Sequence, residues 1–336
     1  MICVVCGAVL RGKPPKVSLT HVWWAIPILL CYAMLSLTPL REGDLWWHLR
    51  LGEAIATTRN LPTIDQWTVA GADRPFNAAH SWLGDLTLYG LEAKGGLAAL
   101  VMLQATTGTL TVALLQCLGI ILRADARGAA VLSVVSFLSL FPFSTARPQI
   151  FSWLLFACFE VILIVAASGR LRWLVMLPVL MVVWVNVHGA WVMGLGLVGI
   201  YGLWWVWAGL SGQRSLHSLW PHALAGLGVL LATFLNPEGI GSYAYLLVMG
   251  KSPISQKLVS EWQPPSLGQS FTWPFWGLLL VSGVLLLTHR TRRVDAPMLA
   301  AACFVVLALR FMRMIRFAVI ALVPVLAPRV PKRFEM

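Results

Sequence analysis

The polar residues of this chain fall in short clusters between long apolar runs, and the clusters are where chemistry could occur. The first, Gly43-Asp44-Leu45-Trp46-Trp47-His48, sets a carboxylate and an imidazole four residues apart. On a helix that spacing puts both on one face, where they could act as a general base and its orienting partner. Asp44 is equally suited to cap the start of that helix. Trp46 and Trp47 suit interfacial anchors or a stacking platform for a sugar ring. His80 opens a second cluster, His80-Ser81-Trp82-Leu83-Gly84-Asp85. It is a candidate substrate contact or an interfacial histidine.

Further along, Arg147-Pro148-Gln149 offers a guanidinium beside the start of a helix, and Asn186-Val187-His188-Gly189 interrupts an apolar run with two polar side chains. A polar break at membrane depth is tolerated where protein or a water-filled cavity receives it, so a cavity is expected at Asn186 and His188. Glu238 and Glu261 add two carboxylates in one loop. Arg310, Arg313 and Arg316 recur every three residues near the end of the chain. An arginine cluster beside a lipid-facing cleft suits a phosphate or diphosphate group, because the guanidinium presents a fork of donors matching phosphate oxygens. Cys3 and Cys6 form half a zinc knuckle with no second ligand pair beside it, so no metal site is expected there. Glu160 stands alone in an apolar run and needs a partner on a neighbouring helix.

The elements that must position these residues are dictated by composition. Of 336 residues, 59% are apolar and 11% charged, and the mean hydropathy is +0.79. Soluble domains carry about 25% charged residues, so a soluble globule, a disordered chain and a nucleic-acid binder are disfavoured. The reading is all-α, a polytopic transmembrane bundle. Stretches free of Asp, Glu, Lys and Arg, or interrupted once, occupy 17–40, 95–122, 128–146, 148–169, 173–213, 215–237, 262–289, 296–309 and 317–328. The 173–213 stretch is about twice the length of one crossing and is divided at Asn186–Gly189, so about ten spans are expected. Residues 1–16 form a cytosolic tail and 17–336 a single membrane domain, with outer loops at 41–94 and 236–272. The first apolar run reads as an uncleaved anchor. With the N-terminus inside, inner segments hold fourteen basic against three acidic residues and outer segments eleven against nine. This is the positive-inside pattern of a multi-pass protein of the cell (inner or plasma) membrane. All the candidates named above except Glu160 and the cysteines then face outward.

The ordered set Gly-Asp-Leu-Trp-Trp-His-Leu (43–49), Leu-Pro-Thr-Ile-Asp (61–65), Ser-Trp-Leu (81–83), Arg-Pro-Gln (147–149), Asn-Val-His-Gly (186–189), Leu-Asn-Pro-Glu-Gly (235–239), Glu-Trp (261–262) and the terminal Arg-rich span resembles a family of bacterial polytopic membrane proteins. That family is similar to the GT-C superfamily of lipid-dependent glycosyltransferases. The resemblance covers Asp44 to Arg316 and implies a GT-C-like bundle that transfers sugar from a polyprenyl-phosphate carrier to a glycan, lipid or protein acceptor. Asp44 would be its catalytic acidic residue, acting as the base, and His48 would orient it. Trp47, His80, Arg147, Asn186, His188, Glu238, Glu261, Arg310, Arg313 and Arg316 would bind substrate. A divalent metal is compatible but not implied. The sequence departs from the pattern at Ser81, where relatives often carry an acid. A transporter or lipid flippase, and a non-catalytic subunit of an envelope-assembly complex, are the alternatives from other classes.

Overall fold

The computed structural model describes residues 18–40, 43–69, 74–251, 253–289 and 294–330. The N-terminal tail with Cys3 and Cys6, and the segment 290–293 with Arg290, Arg292 and Arg293, lie outside them. The described residues are all-helical and contain no strand. The helices are α1 (Leu19–Ser36), α2 (Gly43–Thr58), α3 (Trp82–Ile121), α4 (Ala126–Leu140), α5 (Gln149–Ala167), α6 (Met176–Val187), α7 (Trp191–Leu210), α8 (Trp220–Ala232), α9 (Gly241–Lys251), α10 (Pro253–Leu258), α11 (Trp273–Thr288), α12 (Ala296–Arg310) and α13 (Ile315–Leu326).

Six of these helices, some extended by short 3-10 turns, are long and apolar enough to cross a membrane: Leu19–Ser36, Trp82–Ile121, Ala126–Phe143, Gln149–Ala167, Trp191–Leu210 and Ser270–Thr288. Leu171–Val187, Trp220–Ala232 and Ala296–Arg310 are shorter apolar helices. Large side chains such as Leu203, Leu210, Leu280 and Leu287 are mostly exposed on their outward faces. A water-soluble surface rarely carries apolar area on this scale, whereas a lipid-facing belt requires it. The fold is that of a membrane protein.

Among the described residues every expected apolar stretch contains a helix, and the division of 173–213 falls where the polar residues are, with α6 ending at Val187 and α7 starting at Trp191. Glu160 finds its partner on a neighbouring helix, as its position required. The Tyr201 hydroxyl on α7 donates to its Oε1 at 2.8 Å. The last helix departs from the pattern of a lipid-facing span. All twelve residues of α13 are buried, and it packs against α12, α4, α5, α3 and α11. Beyond Arg316 in its first turn the helix is apolar on every face, the pattern of an interior helix, so α13 forms the centre of the bundle.

The first loop is built from α2 and the start of α3. Gly96, at φ 61°, breaks α3 into an amphipathic approach and an apolar span; the left-handed conformation is open to glycine at little steric cost. Between α2 and α3 the chain makes a small turn, with the Asp65 amide donating to Arg74 O and the Phe76 amide to Thr63 O. Asp65 itself accepts from the amides of Trp67 and Thr68 at 3.0 Å, the local bonding that makes Asp a turn residue. Residues 236–272 are not an open loop as expected. They fold into α9, α10 and two 3-10 turns.

Candidate functional site

The approach of α2 to α3 sets the first pair. Leu45 and Leu49 on α2 bury against Leu88, Leu100 and Ala146, and Gly52 lies directly against the backbone carbonyl of Asp85. A Cβ at Gly52 would also come within 2.7 Å of Tyr89 Cβ. This closeness presses His48 onto Asp85, with Nδ1 and Oδ1 2.6 Å apart. Asp85 is fully buried, and its other oxygen accepts from the Ser81 hydroxyl at 2.8 Å. Gly52→Ala must part the two helices. It is expected to cost about 1–3 kcal/mol, the range for overpacking a close contact, read as a lowered Tm. An unchanged Tm would show that the interface yields freely.

Arg147, just before α5, joins the first loop to the second. Its NH1 donates to Asp44 Oδ2 at 2.6 Å and its NH2 to Glu261 Oε1 at 2.9 Å. With its amide oxygen turned toward the guanidinium, Gln149 accepts from Arg147 Nε at 3.0 Å and NH2 at 2.6 Å, the orientation that satisfies both partners. Glu261 accepts a second bond from Arg316 NH2 at 3.0 Å. Arg316 opens α13, is 3% exposed, and lies over the rings of Phe143 and Trp153. Arg313 lies 4.6 Å from the centroid of Trp262.

These groups face one cavity of about 520 Å³, lined among others by Asp44, His48, His80, Ser81, Arg147, Gln149, His188, Glu261, Trp262 and Arg313. Its three histidines differ in what they present. Ser152 receives the Trp184 indole N–H at 2.8 Å and lies 2.8 Å from His188 Nδ1, to which the Ala190 amide also points. With Nδ1 accepting, Nε2 carries the proton and His188 is a donor. His80 Nδ1 donates to the Asn77 carbonyl at 2.9 Å, and its ring stacks on Tyr245. His48 Nδ1 faces a carboxylate, which only accepts, so its Nε2 is the nitrogen left with a lone pair.

Burial would raise the Glu261 carboxyl, but Arg316, Arg147 and Arg313 outweigh it and hold it at about 2. This lies below the unfolded value of about 4.3, so the ion pairs contribute fully above that value and are lost as pH falls through about 2. His80 is lowered chiefly by burial, against the pull of Asp85. His188 is lowered strongly, by burial first and then by Arg313 and His80. Below about pH 6.5 an unfolded histidine takes a proton that these two refuse, so stability falls as pH falls. Tm is therefore expected to drop between about pH 7 and about pH 5 with the Glu261 bridges still intact. A rise in Tm over that window would contradict the burial of both rings.

The structure thus brings together Asp44, His48, His80, Arg147, His188, Glu261 and Arg313, with Arg316 directly behind Glu261. It does not pair Asp44 with His48. Asp44 sits in the first turn of α2 with Arg147 as partner, and Asp85 orients His48. Four expected lining residues lie elsewhere. Trp47 packs edge-on against Trp67 and Phe76, forming the small core of the first loop rather than a sugar platform. Asn186 is buried and accepts from Trp82 Nε1 at 2.7 Å while donating to Val182 O and Leu235 O; it ties α3, α6 and the turn after α8 together instead of opening a cavity. Glu238 accepts from Asn77 Nδ2 at 2.7 Å, stapling the first loop to the second. Arg310 ends α12 and lies over Phe311. Because Arg310, Arg313 and Arg316 sit in three different elements, their three-residue spacing does not form one charged helix face.

Asp85, Ser81, Gln149 and Trp262 are the lining or supporting residues that sequence spacing did not single out as site members. Ser81 and Asp85 are one helical turn apart, which was a legible signal; nothing local links Asp85 to His48, 37 residues away. Among the described residues no group of three or more His, Cys, Asp or Glu side chains is arranged to hold a metal ion. Neither a model of a known protein family nor a curated protein matches this chain.

Proposed function

We propose that this chain is a membrane glycosyltransferase of GT-C-like type, moving a sugar from a polyprenyl-phosphate carrier to a glycan, lipid or protein acceptor at the outer face of the cell membrane. In this reading about ten helices cross the bilayer and the N-terminus is cytoplasmic, as the distribution of Lys and Arg favours. The observation that carries it is the single cavity in which first-loop carboxylate and imidazole groups meet Arg147 and Arg313 from distant parts of the chain. Sugar transfer needs a proton acceptor near the attacking hydroxyl and positive charge near the departing phosphate. Asp44 and His48 are the candidate acceptors. Arg147 and Arg313 are placed to receive the phosphate, Glu261 and Arg316 brace them, and Trp262 offers an aromatic face to the sugar.

Purified protein in liposomes, supplied with labelled polyprenyl-phosphate sugar and cell-envelope acceptors, is expected to move label from lipid to acceptor. Movement of intact lipid across the bilayer without transfer would support a flippase instead. In a cysteine-free background, Asp44→Cys and Arg214→Cys should react with an impermeant thiol reagent from opposite sides. Reaction from the same side would overturn the topology.

A further inference from the structure

Two groups in the cavity could accept the proton of an attacking hydroxyl, and their surroundings separate them. The Asp44 side chain is 65% exposed and its Oδ2 is taken by Arg147. That partner is shared with Glu261 and Gln149. His48 is 17% exposed, lines the cavity, and is fixed from behind by a carboxylate that is itself wholly buried and held on its second oxygen by Ser81. A buried carboxylate against Nδ1 sets the tautomer with Nε2 unprotonated, and it offsets the positive charge that forms when Nε2 gains a proton. The other two rings are committed differently. His188, with Nδ1 taken by Ser152, carries its proton on Nε2, and His80 is clamped between the Asn77 carbonyl and the Tyr245 ring.

We infer that His48 is the proton acceptor of the transfer step and that Asp85 is its positioning residue, an assignment that rests on the glycosyltransferase reading above. The acceptor hydroxyl gives its proton to His48 Nε2 as its oxygen bonds to the anomeric carbon. The bond from that carbon to the phosphate oxygen breaks, and its electron pair leaves with polyprenyl phosphate, whose negative charge Arg147 and Arg313 receive. The proton on His48 then passes to solvent. Asp44 acts here as the counter-ion from which Arg147 is drawn by the donor phosphate.

The test uses the full-length protein and a labelled polyprenyl-phosphate sugar. His48→Gln is expected to lower kcat about 10²- to 10⁴-fold, the usual worth of a general base, with the donor KM within about threefold of wild type. Asp85→Asn should lower kcat by about tenfold or more with KM likewise held, and Asp85→Glu should recover part of the loss. Nitrogen-15 NMR of the histidine rings should show His48 as the Nδ1–H tautomer in the wild type and as a mixture in Asp85→Asn, a change that loss of packing alone would not select. Wild-type turnover with a normal kcat in a folded His48→Gln overturns the assignment and leaves the transferase reading standing. So does an Asp85→Asn variant with unchanged kcat and tautomer. Absence of wild-type turnover with every donor overturns the reading, and this assignment with it.

Discussion

Replacing Arg147 by Ala is expected to lower kcat/KM for a polyprenyl-phosphate donor about 10²- to 10³-fold, the effect of deleting one preorganised donor aimed at developing negative charge. The geometry makes this residue central. One guanidinium reaches Asp44 on α2, Glu261 in the second loop and Gln149 on α5, so a single side chain ties both loops to the start of α5. Arg147→Lys keeps the charge but supplies a point donor in place of a planar fork, so it cannot serve Asp44 and Glu261 in the same geometry. It is expected to fall between wild type and Ala in steady-state assays. A lysine variant with wild-type kcat/KM would show that charge alone suffices. An alanine variant with wild-type kcat/KM would remove Arg147 from phosphate binding.

Glu261→Ala is expected to be the most destabilising single change at the site, costing about 3–5 kcal/mol, because it leaves the buried Arg316 guanidinium without its carboxylate. Arg316 is nearly inaccessible, so water cannot readily replace the lost partner. The accompanying double variant, Glu261→Ala with Arg316→Met, removes the stranded charge and fills the space between Phe143 and Trp153 with a flexible apolar side chain. It should regain much of the lost stability, because a buried ion pair replaced by apolar groups is often near neutral. Thermal unfolding of the four proteins forms a cycle that isolates the coupling. If Glu261→Ala costs less than about 1 kcal/mol, or the double variant is no more stable than the single, the bridge is not what holds the second loop to α13.

Much of the scaffold was legible because membrane helices announce themselves locally. Charge-poor stretches mark the apolar helices among the described residues, the polar break at Asn186 to Gly189 coincides with the end of α6 and the start of α7, and the isolated Glu160 requires the interhelical partner that Tyr201 supplies. Patterning was blind where a segment's role depends on its neighbours. Residues 241–258 are helical yet short and mixed in polarity, too weak a pattern to separate from a loop. Trp47 and Asn186 carried the side chains a binding site would use, but both serve packing. An aromatic ring and an amide satisfy a fold as readily as a ligand, and sequence spacing does not say which.

Composition and local order therefore determined what kind of protein this is: a helical chain with lipid-facing surfaces, whose polar chemistry is gathered in a few short segments. They determined this because apolar length and helical period are properties of adjacent residues. Tertiary structure alone decided the pairing. His48 meets Asp85 across 37 residues, Arg147 meets Asp44 across 103 and Glu261 across 114, and α13 enters the centre of the bundle to bring Arg316 beneath them. No residue in those pairs has a neighbour in the chain that names its partner. The match follows from how closely α2 seats on α3 at Gly52 and from burial that leaves Asp85 and Arg316 no water to turn to.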